Sequence, residues 1–354
     1  GSTVLCPDLP WGLDFPESVK AQDIELARMC GAKWGRISLP VTRIRPSRDT
    51  WAWDELDRTI DLLRSNGISI CGTVRGFPKW TKSYSGEAFA EYLKIVQESS
   101  RRYKGKVGAW EISARPDPGA SRDDSYFDLI SHSYYRVRAF DDETPIVALS
   151  LAAPDVAYAK RFCGRWWNRY NDLSVALPAE HFEEGRLLHD VADLSAAGDD
   201  CWIWISGSDG LVSSVRDTGS ADGHRFVSSL VRAYLTSAGN GMVRAVNGYR
   251  LRDDPNGTLG GDVPMRPAFR ALSSIFRTFT KGRGRIEGRN VGDNVTLWIF
   301  RMGGRCAVWT NSEKPRMMSF FSKDPAVVVN LMGERMVVDA TSFSVAIDAN
   351  HPLF

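Results

Sequence analysis

Among the ionisable residues that stand inside apolar runs, two suggest a pair: Arg36 within Lys33–Leu39 and Glu111 within Val107–Ser113. A buried carboxylate is tolerated only beside a partner, because leaving water unpaired is too costly for it. Glu111 is therefore expected to point inward and to pair with a cation such as Arg36. Arg36 then either faces a ligand hydroxyl or only balances that carboxylate. Flat rings form the second group. Trp80, Trp204 and Tyr249 fall near the ends of apolar runs, and Trp166-Trp167 lies ahead of another. Such rings stack on the C–H faces of sugars, although an indole also serves as plain core filler. Metal chemistry is not expected, since the five His are scattered. Six cysteines, Cys6, Cys30, Cys71, Cys163, Cys201 and Cys306, show no C-x-x-C spacing and read as buried thiols, or at most one disulfide. No cofactor is expected.

These groups need elements to position them, and the chain supplies short apolar runs alternating with amphipathic stretches. The runs are Trp11–Phe15, Lys33–Leu39, Ile68–Val74, Val107–Ser113, Pro145–Leu151, Asp172–Val175, Cys201–Ser206 and Met242–Leu251. Each is followed by a helical pattern, the first over Glu17–Cys30 and the last over Pro267–Phe279. That alternation is the signature of βα units around a parallel sheet, and eight of them close into a (β/α)8 TIM barrel. The barrel is expected over residues 10–281. After Lys281-Gly282-Arg283-Gly284 the pattern turns to short alternating segments, among them Val295–Arg301, Arg305–Asn311, Ala326–Leu331, Arg335–Asp339 and Phe343–Ile347. They predict an antiparallel β-sandwich over 282–354, to which residues 1–9 lend a strand.

Composition narrows the functions open to such a chain. Its 354 residues are 43% hydrophobic and 25% charged, with 12 Trp, 10 Tyr and 16 Phe, which places it far from disordered chains. Lys and Arg number 45 against 43 Asp and Glu, a net charge of +2 that offers no footprint for a nucleic-acid backbone. No apolar run reaches the length of a membrane-spanning helix. The chain opens Gly1-Ser2 without Met, which reads as a trimmed start.

Barrel chemistry sits at the C-terminal ends of the strands, and two of those ends look familiar. The segment Tyr103-Lys104-Gly105-Lys106-Val107-Gly108-Ala109-Trp110-Glu111-Ile112-Ser113-Ala114-Arg115-Pro116 resembles Y-K-x-x-V-x-x-W-E-I-W-N-E-P of clan A glycoside hydrolases, family 39 above all. Trp51-Ala52-Trp53-Asp54-Glu55-Leu56-Asp57 is similar to that family's Y-D-W-x-x-L-D, and Gly76-Phe77-Pro78-Lys79-Trp80 to its third-strand exit. Cys201-Trp202-Ile203-Trp204-Ile205-Ser206-Gly207 falls where the family has its nucleophile strand, W-I-T-E. Arg266-Pro267-Ala268-Phe269-Arg270-Ala271-Leu272 resembles K-P-A-Y-x-A-L of the last helix. The resemblance implies a carbohydrate partner, an oligo- or polysaccharide, and an extracellular or envelope location.

The departures from that pattern bear on chemistry. Retaining glycosidases use two carboxyl groups about 5–5.5 Å apart, one to protonate the leaving oxygen and one to attack the anomeric carbon. At the position of the family's acid this chain has Arg115, and at that of its nucleophile Gly207. The Asn before the acid is Ala114, and the sixth-strand signature S-x-H-P-Y is replaced by Ser174-Val175-Ala176-Leu177-Pro178. Asp117 and Asp209 lie two residues beyond the two lost positions, about 7 Å further out in extended backbone. They frame either a displaced catalytic pair, at a separation suited to inversion, or ordinary turns, since Asp caps turns through its own backbone. The expectation is a carbohydrate-binding pseudo-glycosidase. Its binding residues would be Arg36, Trp80, Glu111, Arg115, Trp204 and Tyr249, and Arg115 would favour an anionic sugar. The alternatives are an active glycosidase or transglycosidase using Asp117 and Asp209, and a non-catalytic scaffold for a protein partner.

Overall fold

The computed structural model describes residues 7–82, 85–113, 123–166, 168–176, 182–206, 221–251, 267–323, 325–338 and 342–354. Eight parallel strands form one sheet in chain order. They are β1 (Gly12–Asp14), β2 (Trp34–Pro40), β3 (Ser69–Arg75), β4 (Ala109–Ser113), β5 (Ile146–Leu151), β6 (Asp172–Ala176), β7 (Trp202–Ser206) and β8 (Val243–Asn247). The ring closes through β1, which pairs with β2 and meets the eighth-strand segment at Trp11–Val246 and Asp14–Arg250. The Val246 N–H donates to the Pro10 carbonyl at 2.8 Å, and the Leu251 N–H to the Asp14 carbonyl at 3.1 Å. Around the sheet run α1 (Ala21–Cys30), α2 (Val41–Ile44), α3 (Asp54–Ser65), α4 (Gly86–Arg102), α5 (Asp123–Arg138), α6 (Val156–Trp166), α7 (Glu184–Ala197), α8 (Ala221–Gly239) and α9 (Pro267–Thr278). This is the expected (β/α)8 barrel, with the four-residue α2 as an insertion after β2.

Local chemistry explains these elements. Every residue of β5 and β6 is buried, as befits strands covered by helices outside and side chains inside. Helix α3 opens on Asp54, Glu55 and Asp57, where the unpaired N–H groups favour anions, and closes on Arg64. Ser85 caps α4 by accepting from the Ala88 N–H at 3.1 Å. Gly31 ends α1 at φ 92°, a left-handed conformation that glycine adopts without strain. Inside the barrel, the lower layer comprises Trp34, Cys71, Ala109, Val147, Trp204 and Ala245, all buried. Gly12 completes it because nothing larger fits: a Cβ there would lie 1.9 Å from Asn247 Oδ1.

Beyond α9 the chain forms three antiparallel sheets: β9 (Arg285–Asn290), β10 (Thr296–Met302) and β11 (Arg305–Thr310) in the order β11-β10-β9; β12 (Arg316–Phe321) with β15 (Ser342–Ile347); and β13 (Ala326–Val329) with β14 (Arg335–Val338). Strands β9 and β12 join those the alternation named. Residues 7–9 form no strand, and residues 1–6 lie outside the described chain. The sheets are tied to the barrel by buried contacts. Trp11 stacks on Phe276 at 5.4 Å and donates its indole N–H to the Phe279 carbonyl at 2.6 Å, while Phe279 meets Phe300 edge-on at 4.9 Å. Trp309 donates to Glu184 at 2.8 Å, and Arg232 pairs with the same carboxylate at 3.0 Å. Cys30, Cys71, Cys163 and Cys201 are buried free thiols, whereas the Cys306 thiol is exposed. No helix among the described residues is long and apolar enough to cross a membrane.

Candidate functional site at the barrel mouth

Above the lower layer the barrel interior turns polar. Register places Arg36 beside Asp14 across β1 and β2, and Glu111 beside Thr73 across β3 and β4. Arg36 Nε donates to Glu111 Oε2 at 2.6 Å and its NH1 to Asp14 Oδ1 at 3.2 Å. Thr73 Oγ1 donates to Glu111 Oε2 at 2.6 Å and Ser150 Oγ to Oε1 at 2.5 Å. Arg250, past the end of β8, donates from Nε to Asp14 Oδ2 at 2.8 Å. Two guanidinium groups and two carboxylates thus alternate across the barrel.

The backbone bends to complete this arrangement. Leu149 and Ser150 take φ of 76° and 38°, and the β5–β6 register shifts between Ala148 and Leu151. Non-glycine residues reach positive φ only where their surroundings hold them, and here the Ser150–Glu111 bond accompanies the bulge.

Electrostatics fix the protonation of the network. Burial alone would raise the Glu111 carboxyl, but the charge of Arg36 and the bonds from Arg36, Ser150 and Thr73 bring it down to about 2. Burial works against the Arg36 guanidinium too, yet Glu111 and Asp14 hold its pKa above the ordinary value. Glu111 is therefore ionised at neutral pH, and at 1% exposure with both oxygens engaged it is closed to a substrate. It cannot protonate a leaving group. Arg250, with 22% of its side chain exposed, carries the network towards the mouth. Lower in the barrel, Asp172 accepts from Trp204 Nε1 at 2.7 Å and lies 3.4 Å from Arg244. Burial outweighs these partners and pushes its carboxyl up to about 6.

The aromatic candidates separate by depth. Trp204 is 2% exposed in the lower layer, edge-on to Trp34 at 4.9 Å, so neither face is open to a sugar. Tyr249 is 3% exposed and packed in the core, its N–H donating to the Tyr234 hydroxyl at 2.9 Å. Trp80 is half-buried, with the Arg45 guanidinium 5.7 Å from its ring. Trp166 is half-buried beneath Arg165 at 5.5 Å, and Trp167 lies outside the described residues. Arg115, Asp117, Gly207 and Asp209 also lie outside them; the strands leading to these positions end at Ser113 and Ser206. Four participants were not singled out from sequence: Asp14, Thr73, Ser150 and Arg250. Strand alternation marks Asp14 and Thr73 as inward-facing, but the bulge that turns Ser150 inward leaves no such signal.

Comparison with solved structures identifies the architecture. A family 39 glycoside hydrolase from Bacteroides cellulosilyticus WH2 superposes with a TM-score of 0.70 at 14% identity, covering 98% of this chain and 81% of that one. The chain shares its fold with that glycoside hydrolase. A family 30 endoxylanase from Clostridium papyrosolvens C71 follows at a TM-score of 0.66 and 10% identity, covering 99% of this chain and 96% of that one. A family 30 subfamily 8 xylanase from Clostridium acetobutylicum gives 0.64 and 12%, covering 98% and 96%. Coverage this wide takes in the C-terminal sheets as well as the glycoside hydrolase-like barrel. No family model matches the sequence, and no curated protein is similar to it.

Proposed function

We propose that this protein is a glycoside hydrolase-like carbohydrate-binding protein that has lost standard retaining hydrolysis, with an oligo- or polysaccharide as its partner. The observation that carries the reading is the condition of the carboxylates. Beyond β4 and β7 the sequence has Arg115 and Gly207, and the carboxylate that β4 does carry, Glu111, is buried and held ionised by Arg36, Thr73 and Ser150. A guanidinium neither gives nor takes a proton near neutrality, and glycine has no side chain to attack with. General acid–base assistance alone contributes roughly 10²–10⁴-fold, so its loss together with the nucleophile removes the family mechanism.

The fold likeness to xylanases supports a polysaccharide ligand, and the guanidinium of Arg115 supports an acidic substituent on it, since it matches carboxylate or sulfate geometry. Calorimetric titration with neutral and uronic-acid-substituted xylo-oligosaccharides, followed by reducing-end analysis of the same samples, tests the reading. Binding without new reducing ends, tighter for the acidic ligand and weakened by Arg115→Ala, is expected. New reducing ends abolished by Asp117→Asn or Asp209→Asn would instead establish an active glycosidase. Neither heat nor product would leave a protein-interaction scaffold.

A further inference from the structure

The C-terminal end of α9, the start of β11 and the two two-stranded sheets border an open crevice of about 710 Å³. A second cavity of about 290 Å³ adjoins it, sharing Arg277, Thr278, Val329 and Arg335. Helices of the barrel run antiparallel to its strands, so these cavities, at the end of α9, lie at the opposite end from the mouth.

Their lining is chemically one-sided. Arg277, Arg305 and Arg335 border the larger cavity and Arg270 the smaller, while no Asp, Glu, Asn or Gln side chain lines either among the described residues. Arg277 donates to the Met29 carbonyl at 3.0 Å, and Arg305 to that of Thr278. These bonds fix both guanidinium groups at helix ends and use fewer than the five N–H donors each possesses. Apart from Thr278, Cys306 and Ser322, the rest of the larger cavity's wall is mainly aliphatic and phenyl: Phe320 stacks on Phe343 at 5.7 Å, with Val328 and Val345 alongside. At the lip Phe321 is 85% exposed and Val327 53%. Among the described residues no carboxylate in the wall opposes an anionic head, and the phenyl and valine face suits an alkyl chain.

We infer that this crevice binds a single-chain amphipathic anion, an alkyl carboxylate whose chain lies along Phe320, Phe343 and Val345 and whose head meets Arg335 and Arg277. The inference is independent of what the barrel mouth binds. Calorimetric titration with monomeric dodecanoate, below its micelle concentration, tests it on the full chain. The expected result is saturable one-site binding, at least tenfold weaker for dodecanol, at least tenfold weaker in Arg335→Glu, and absent in Val345→Trp, whose indole takes the place of the alkyl chain beside Phe320 and Phe343. Each variant is first shown to keep the wild-type circular dichroism and melting profile. Absence of saturable heat would overturn the inference. So would equal affinity for the alcohol, undiminished binding in Val345→Trp, or binding to vesicles of anionic phospholipid without binding to monomeric dodecanoate.

Discussion

Glu111 and Asp172 are both buried in the barrel interior, yet their surroundings move their acidities in opposite directions. Glu111 falls from its ordinary 4.5 to about 2, so it contributes stability that is present above pH 4.5 and lost as the pH drops towards 2. Asp172 rises from 3.8 to about 6, so its contribution is present below pH 3.8 and lost as the pH climbs through 6. Each shift of two units or so corresponds to about 3 kcal/mol. Urea unfolding across pH 3 to 8 is expected to show Asp172→Asn lacking the decline that the wild type shows between pH 4 and 6; identical slopes would contradict the assignment. Glu111→Gln leaves Arg36 buried with Asp14 as its remaining carboxylate, and a loss of about 3–5 kcal/mol is expected at pH 7. Arg36 and Glu111 were legible in the sequence because a charge inside an apolar run demands a partner. The raised acidity constant of Asp172 was not, because burial produces it and the partners that only partly offset that burial, Trp204 and Arg244, arrive from two other strands.

Among the elements, β5 shows most clearly how the fold serves the network. Its six residues read as an ordinary buried strand, IVALSL, in which alternation gives one inward parity. The positive φ at Leu149 and Ser150 breaks that parity and brings the Ser150 hydroxyl onto Glu111. Two opposing terms meet at this position. Ser150→Ala removes the hydrogen bond and keeps the strained backbone, whereas Ser150→Gly removes the bond and relieves the strain by about 1 kcal/mol. Thermal unfolding should therefore rank wild type above Gly and Gly above Ala. Ala equal to or above Gly would show that the backbone stores no strain there. Local sequence cannot announce such a bulge, since the groups that hold it in place, Glu111 and its partners on β2 and β3, are distant in the chain.

For the whole molecule, the eight βα units were readable because each strand is buried on both faces and each helix on one, and burial on that pattern writes hydrophobic period directly into sequence. The C-terminal sheets were legible as alternating segments, but β9 and β12 were less so: β9 reads Arg-Ile-Glu-Gly-Arg-Asn with mostly exposed residues, and β12 leaves Met317 and Phe321 facing solvent. The aromatic residues misled in depth rather than in position. Trp204 is near the end of an apolar run, as a cleft residue would be, but register sets its ring inside the barrel opposite Trp34. In the sequence Arg115 comes two residues after Ser113, where β4 ends, and Gly207 directly follows Ser206, where β7 ends. The proposed function requires that no acid–nucleophile pair operates at Arg115 and Gly207. The rate of aryl β-xyloside hydrolysis, compared between the wild-type chain and the double variant Arg115→Glu with Gly207→Glu, tests it most directly. The wild type is expected to match buffer and the double variant to rise above it; wild-type turnover that disappears in Asp117→Asn or Asp209→Asn would contradict the account.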